Sequence, residues 1–134
     1  MRTNGKQPVV LLSLNRATSG DDIALLKAAG VTSIEPGHGS FEGVVEQCYA
    51  IPIEQFTEQV RSLLRECNQR AVFFLDNQYN AWLATADKDY TGYNSNDKDR
   101  RAVFVGEFRE TNEIQAKKGK GWSEFGGRYY VAGK

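Results

Sequence analysis

Residues 56–67 constrain the fold of this chain more than any other stretch. Phe56, Val60, Leu63, Leu64 and Cys67 fall at i, i+4, i+7, i+8 and i+11, one continuous face of an α-helix. Glu54, Glu58, Arg61, Arg65 and Glu66 supply the solvated face. A helix with one apolar stripe must lay that stripe on another element, and both flanks of this one read as strands. On the N-terminal side, residues 44–53 alternate. Val44, Glu46, Cys48 and Ala50 share one face, and Val45, Gln47, Tyr49 and Ile51 share the other. Pro52 closes that strand. On the C-terminal side, "AVFFLD" is a strand, "NQYN" a turn, and "AWLATA" its hairpin partner.

The remaining elements extend the same pattern. The apolar run "PVVLLSL" suits a buried central strand. In "NRATSGDDIALLKAAG", Ser19 and Asp22 have capping-box spacing, Gly30 is a stop, and Ile23, Leu26 and Ala29 form a narrow stripe. A short helix is expected there. Residues 31–35 form a strand joined to 44–53 by a glycine-rich loop. The segment "DKDYTGYNSNDKD" has turn chemistry throughout. "RAVFVGEF" is a strand, and the tail "WSEFGGRYYVA" ends in one more. The order strand, helix, strand, strand, helix, strand, with a β extension, predicts an α+β fold. It is the ferredoxin-like βαββαβ sandwich, one sheet with two helices on one face. A single domain over residues 1–134 is expected. The second sheet face would expose apolar residues from "VVLLSL" and "AVFFLD", so a cyclic homotrimer is expected to cover it.

Composition excludes several function classes. The 134 residues fit one domain, and the 17 basic and 17 acidic residues form no long block of one sign. Nothing marks a nucleic-acid or membrane surface, and no apolar run approaches a membrane span. "MRTNGKQ" lacks the apolar core of a secretory signal, so a cytoplasmic location is expected. Cys48 and Cys67 read as core thiols. With one histidine, distant cysteines and no EF-hand pattern, no metal site is expected. There is no G-x-S-x-G elbow. The "GHG" at 37–39 reads as a tight hairpin rather than a phosphate cradle, and His38 as a solvated loop residue.

The carboxylates around that loop allow three answers: a solvated hairpin, a metal site, or a pocket for a cationic ligand. Glu35 and Glu42 flank the loop and read as exposed. Glu46 shares a strand face with Val44 and Cys48, where a carboxylate is costly to bury unless a cation meets it. That cation is either an internal arginine, such as Arg16, Arg101 or Arg128, or a ligand.

Four pieces together carry a resemblance. They are "LLKAAG", the glutamate-bearing "VEQCYAI", the amphipathic helix followed by "AVFFLD", and the closing "EFGGRYYV". Over residues 25–131 the chain resembles the phage-encoded S-adenosylmethionine lyases, long called hydrolases. The most specific parts are Glu46 before the second helix and an F-G-x-R-aromatic ending, here Phe125, Gly126, Arg128 and Tyr129. The resemblance implies a small cytosolic enzyme that depletes host S-adenosylmethionine during infection and so counters methylation and restriction. It would cleave S-adenosylmethionine to 5′-methylthioadenosine and L-homoserine lactone without metal or organic cofactor. It also implies a homotrimer with sites between subunits, and Glu46 as the catalytic acidic residue. Family members carry a tyrosine shortly upstream of that glutamate; the nearest aromatic here is Phe41, which has no hydroxyl. The substrate-binding candidates are Phe41, Tyr49, Trp82 and Arg128. Tyr90 and Tyr93 are further candidates for the adenine, which needs a flat apolar surface. Trp122 and Phe125 read as packing for the C-terminal extension. Two other functions stay open: a non-catalytic adenosine-nucleotide-binding trimer, and a phage inhibitor that binds a host protein directly.

Overall fold

The structure, a computed structural model, describes residues 8–14, 21–41, 43–93, 102–119 and 121–133. Its strands are β1 (Val9–Leu12), β2 (Glu35–Phe41), β3 (Val44–Pro52), β4 (Ala71–Leu75), β5 (Asn80–Thr85), β6 (Val103–Thr111), β7 (Trp122–Phe125) and β8 (Arg128–Gly133). The α-helices among the described residues are α1 (Asp22–Ala28), α2 (Glu58–Glu66) and α3 (Glu113–Lys118). Every strand runs antiparallel to its neighbours in the order β1-β3-β2-β7-β8-β6-β5-β4, and β4 pairs back onto β1 to close a barrel.

This overturns the expected ferredoxin-like βαββαβ sandwich. The strip β4-β1-β3-β2 does carry α1 and α2 on one face. Its other face, expected to be bare, is covered by the chain itself. β5, β6, β8 and β7 continue from both edges of the strip and join, so the sheet has no free edge. The physical ground stated above for a homotrimer, an uncovered apolar sheet face, is therefore absent.

Strand alternation sorts the apolar residues into two cores. Val10 and Leu12 of β1, Tyr49 and Ile51 of β3, and Val72 and Phe74 of β4 face outward, under Leu26 of α1 and Val60 and Leu64 of α2. Leu11, Cys48, Ala50 and Leu75 face inward and meet Phe108, Phe125 and Tyr130 inside the barrel. The stripe of residues 56–67 packs as expected: Phe56, Val60 and Leu64 are buried, with Leu63 and Cys67 against the same core. In α1, Leu26 is buried but Ile23 is exposed. Ser19 lies outside the described residues. Asp22, its expected capping partner, is buried in the first turn and accepts a hydrogen bond from the Tyr49 hydroxyl at 2.8 Å. No helix among the described residues is long and apolar enough to cross a membrane.

Two segments differ from expectation at the backbone. The glycine-rich loop is itself a strand. β2 runs through it, pairing Gly37 with Cys48, His38 with Gln47 and Gly39 with Glu46 on one side, and Gly39 with Ser123 on the other. The tail holds two strands where one was expected. Gly126 and Gly127, with φ of +60° and +83°, make the two-residue turn between β7 and β8. That hairpin geometry needs positive φ at both positions.

One hydroxyl is out of balance. Tyr90 is fully buried in the outer core, and its oxygen has no hydrogen-bond partner among the described residues. An unsatisfied buried polar group costs about 1–3 kcal/mol. Tyr90→Phe is therefore expected to hold or raise stability, by about 1 kcal/mol. A urea titration showing a loss of that size would mean that the hydroxyl has a partner.

Candidate functional site

The inner core fills one end of the barrel and leaves the other open. At the closed end, the Phe108 and Tyr130 rings stack with centroids 5.2 Å apart, beside Phe125 and Leu75. At the other end β1 and β2 finish and β3, β4 and β7 begin. A cavity of about 410 Å³ opens there. An eight-stranded barrel is just wide enough for its side chains to fill it or for one small ligand to enter. Here small inward residues leave the space, notably Gly39 of β2, Cys48 of β3 and Ser123 of β7. Leu11 and Phe73 give it an apolar wall, and Glu46 and Arg70 bring charge to it.

The register explains why Glu46 is in this cavity. It lies on the inward face of β3 with Cys48 and Ala50, one step nearer the open end, opposite Gly39. It is half-buried, and it makes no hydrogen bond or ion pair among the described residues. Of the arginines considered as internal partners, Arg128 instead faces Glu110 at 3.6 Å. Arg16 and Arg101 lie outside the described residues.

Cys48 reports the electrostatics of the same wall. Burial, then the negative charges of Glu124 and Glu46, push its thiol up to about 12. The carboxylates' part of that shift is a field that favours a cation, whereas burial, the larger part, opposes any charge. The protonated thiol is also a poor nucleophile, so the cavity offers no activated cysteine. Both cysteines are free, and Cys67 lies in the outer core on the other side of the barrel wall. At pH 8, Cys67 is expected to react with a disulfide reagent well before Cys48. Equal labelling rates, read by mass spectrometry of the peptides, would contradict the burial and field at Cys48.

Of the other candidates, none is brought to Glu46 by a described side chain. Tyr49 is on the outward face of β3, buried, and 3.0 Å from Gln47 Oε1 as well as bonded to Asp22. Burial and that Asp22 bond hold its hydroxyl well above the ordinary range. Trp82 faces outward on β5, between Tyr93 and Phe104, and its Nε1 donates to Asp76. Tyr90 is inside the outer core. Arg128 sits at the closed end beside the β7–β8 turn. Phe41 ends β2 opposite Val44, at the open end; its ring lies outside what the structure describes. Trp122, read as packing, lines the cavity.

The carboxylates of the glycine-rich segment separate. Glu35 starts β2 four residues from Gly39, roughly 13 Å along the strand from the level of Glu46. Glu42 lies outside the described residues. His38 points outward, its Nδ1 3.0 Å from Glu124 Oε1, while the Gly127 N–H donates to Glu124 Oε2 at 2.7 Å. Those two contacts hold the Glu124 carboxyl below the ordinary range. The His38 contact ties β2 to β7 on the outside, away from the cavity, and the Gly127 contact braces the β7–β8 turn. Among the described residues, no cluster of three or more His, Cys, Asp or Glu side chains is arranged to hold a metal.

Comparison with models of known protein families and with curated proteins finds no match. The site therefore rests on its own geometry. Arg70 and Phe73 carry no site signal in the sequence, and Gly39 reads there only as part of the tight "GHG" hairpin. Period-two alternation does place Phe73 and Glu46 on definite strand faces, but which face turns inward depends on closure.

Proposed function

We propose that the barrel mouth binds S-adenosylmethionine and promotes its intramolecular cleavage to 5′-methylthioadenosine and L-homoserine lactone. One observation carries the reading: a half-buried carboxylate, Glu46, without a partner among the described residues, in a cavity of ligand size. Small-molecule pockets span about 300–1,000 Å³ and combine apolar walls with a few polar groups. The resemblance to the phage lyases, which singles out the same glutamate, supports it.

The chemistry asks little of the protein. The substrate's sulfonium is already a good leaving group. Its own carboxylate attacks the γ-carbon, the new C–O bond closes a five-membered lactone, and the C–S electron pair leaves on sulfur as a neutral thioether. No external nucleophile or general base takes part. Glu46 pairs with the α-ammonium and holds the chain in its cyclising rotamer. Holding reacting groups in line can lower a barrier by about 7–11 kcal/mol. Attack neutralises carboxylate against sulfonium, so the apolar wall of Leu11 and Phe73 favours the transition state over the charged ground state. A homotrimer, implied by the resemblance, belongs to the same proposal and is measured separately by light scattering.

Incubation with S-adenosylmethionine followed by chromatography tests the reading. Catalytic formation of methylthioadenosine supports it. Intact ligand retained by the protein would make the chain a binding protein. Neither outcome would remove the small-ligand reading and leave direct binding to another protein.

A further inference from the structure

Arg70 lines the same cavity as Glu46. It lies between α2 and β4, on a backbone held from both sides. The Gln69 N–H donates to Leu64 O at 3.0 Å, and Arg70 O accepts from the Ala86 N–H at 2.9 Å. Arg61, Arg65 and Arg128 each have an acidic partner within 4 Å, but the Arg70 guanidinium has none among the described residues. Two oppositely charged residues thus stand at one mouth without pairing with each other, Glu46 half-buried and Arg70 exposed at the rim. β3 and β4 are the two neighbours of β1, which puts their backbones two strand spacings apart, roughly 10 Å. At that spacing a side chain from each backbone can reach one ligand head between them, each through a charge-assisted hydrogen bond.

We propose that the mouth is a receptor for a zwitterion, with Arg70 taking the ligand's carboxylate and Glu46 its ammonium. This rests on the reading of the cavity as an S-adenosylmethionine site and adds a second recognition residue to it. A guanidinium holding one carboxylate oxygen leaves the other free to attack. The contact weakens as that carboxylate loses its charge on lactone formation, so it is stronger before reaction than in the transition state. Arg70 is accordingly a capture residue, and removing it raises KM without lowering kcat. The ammonium keeps its charge throughout, so Glu46 acts at every stage.

The test uses two probes: S-adenosylmethionine, and its decarboxylated analogue, which has both cationic centres but cannot cyclise. Arg70→Gln is expected to raise KM for S-adenosylmethionine by about tenfold, with kcat held or increased. It should leave the Kd of the decarboxylated analogue within about twofold, or tighten it, by calorimetry. Arg70→Lys should recover part of the lost affinity. An equal loss of affinity for both probes, or a fall in kcat at unchanged KM, overturns the assignment of Arg70 and leaves the parent reading intact. If the unaltered protein neither turns over the first probe nor binds the second, the parent reading falls and the Arg70 assignment with it.

Discussion

Glu46→Gln is expected to reduce turnover or affinity for S-adenosylmethionine at least about tenfold while the thermal midpoint holds or rises. The substitution keeps the shape of the side chain and removes its charge. A hydrogen bond to a charged group contributes roughly 1.5–3 kcal/mol, and about 1.4 kcal/mol is a factor of ten in rate. Displacement of the attacking carboxylate would deepen the loss, because the reaction depends on alignment. The fold should not suffer: the carboxylate is half-buried, with no ion pair among the described residues. Glutamine relieves the desolvation of an uncompensated charge. The competing account makes the opposite forecast. If an internal arginine holds Glu46, glutamine strands that cation, stability drops by several kcal/mol, and chemistry is nearly untouched. Thermal midpoint and product formation measured on one sample separate the two. A variant that melts lower yet stays fully active would move the site elsewhere.

The elements were more legible in the sequence than their closure. Residues 56–67 read as an amphipathic helix because its stripe depends only on local spacing, and α2 buries that stripe. The alternation of 44–51 was equally local. It placed Glu46 with Cys48 on one face, and the structure keeps them there. Topology depends on which edges meet, and no local pattern records that. The first six elements match a sandwich order, so the closing strands were read as an appendage. β2 was hidden for a related reason. "EPGHGSF" has turn composition, and glycine ordinarily weakens a strand. Here Gly37 faces a seam with no room for a side chain beside the Glu124 carbonyl oxygen and the Phe125 ring, a tertiary requirement that overrides propensity. α3 is six residues long and mostly polar, so no periodicity announced it; its N-cap is Asn112, which accepts from the Gln115 N–H at 2.8 Å. Arg70 escaped notice because an arginine before a strand is unremarkable until the barrel mouth is built around it.

The two inward glycines of β2 should respond differently to the same substitution. Gly37 is buried where β2 crosses β7. A Cβ there would lie 2.2 Å from the Glu124 carbonyl oxygen and 2.5 Å from Phe125 Cδ1. The oxygen is backbone and cannot move without opening the β2–β7 seam that helps close the barrel. Gly37→Val is expected to cost about 3 kcal/mol or more, a drop of roughly 10 °C in thermal midpoint. Gly39 sits two residues further, at the cavity. A Cβ there would meet Cys48 Sγ at 3.5 Å and the Trp122 carbonyl oxygen at 3.7 Å, both ordinary contacts. Its φ is not in the left-handed region, and a β-branched residue suits a strand. Gly39→Val should therefore fold with a midpoint close to that of the unaltered protein. Its methyl groups, however, would occupy the mouth beside Glu46, its cross-strand partner. A ligand displaced by even 1 Å can lose about a hundredfold in rate, so activity is expected to fall at least tenfold. Equal destabilisation by both substitutions would show that the mouth is as tightly packed as the seam. A Gly39→Val protein that is both stable and fully active would show that the ligand does not enter the barrel.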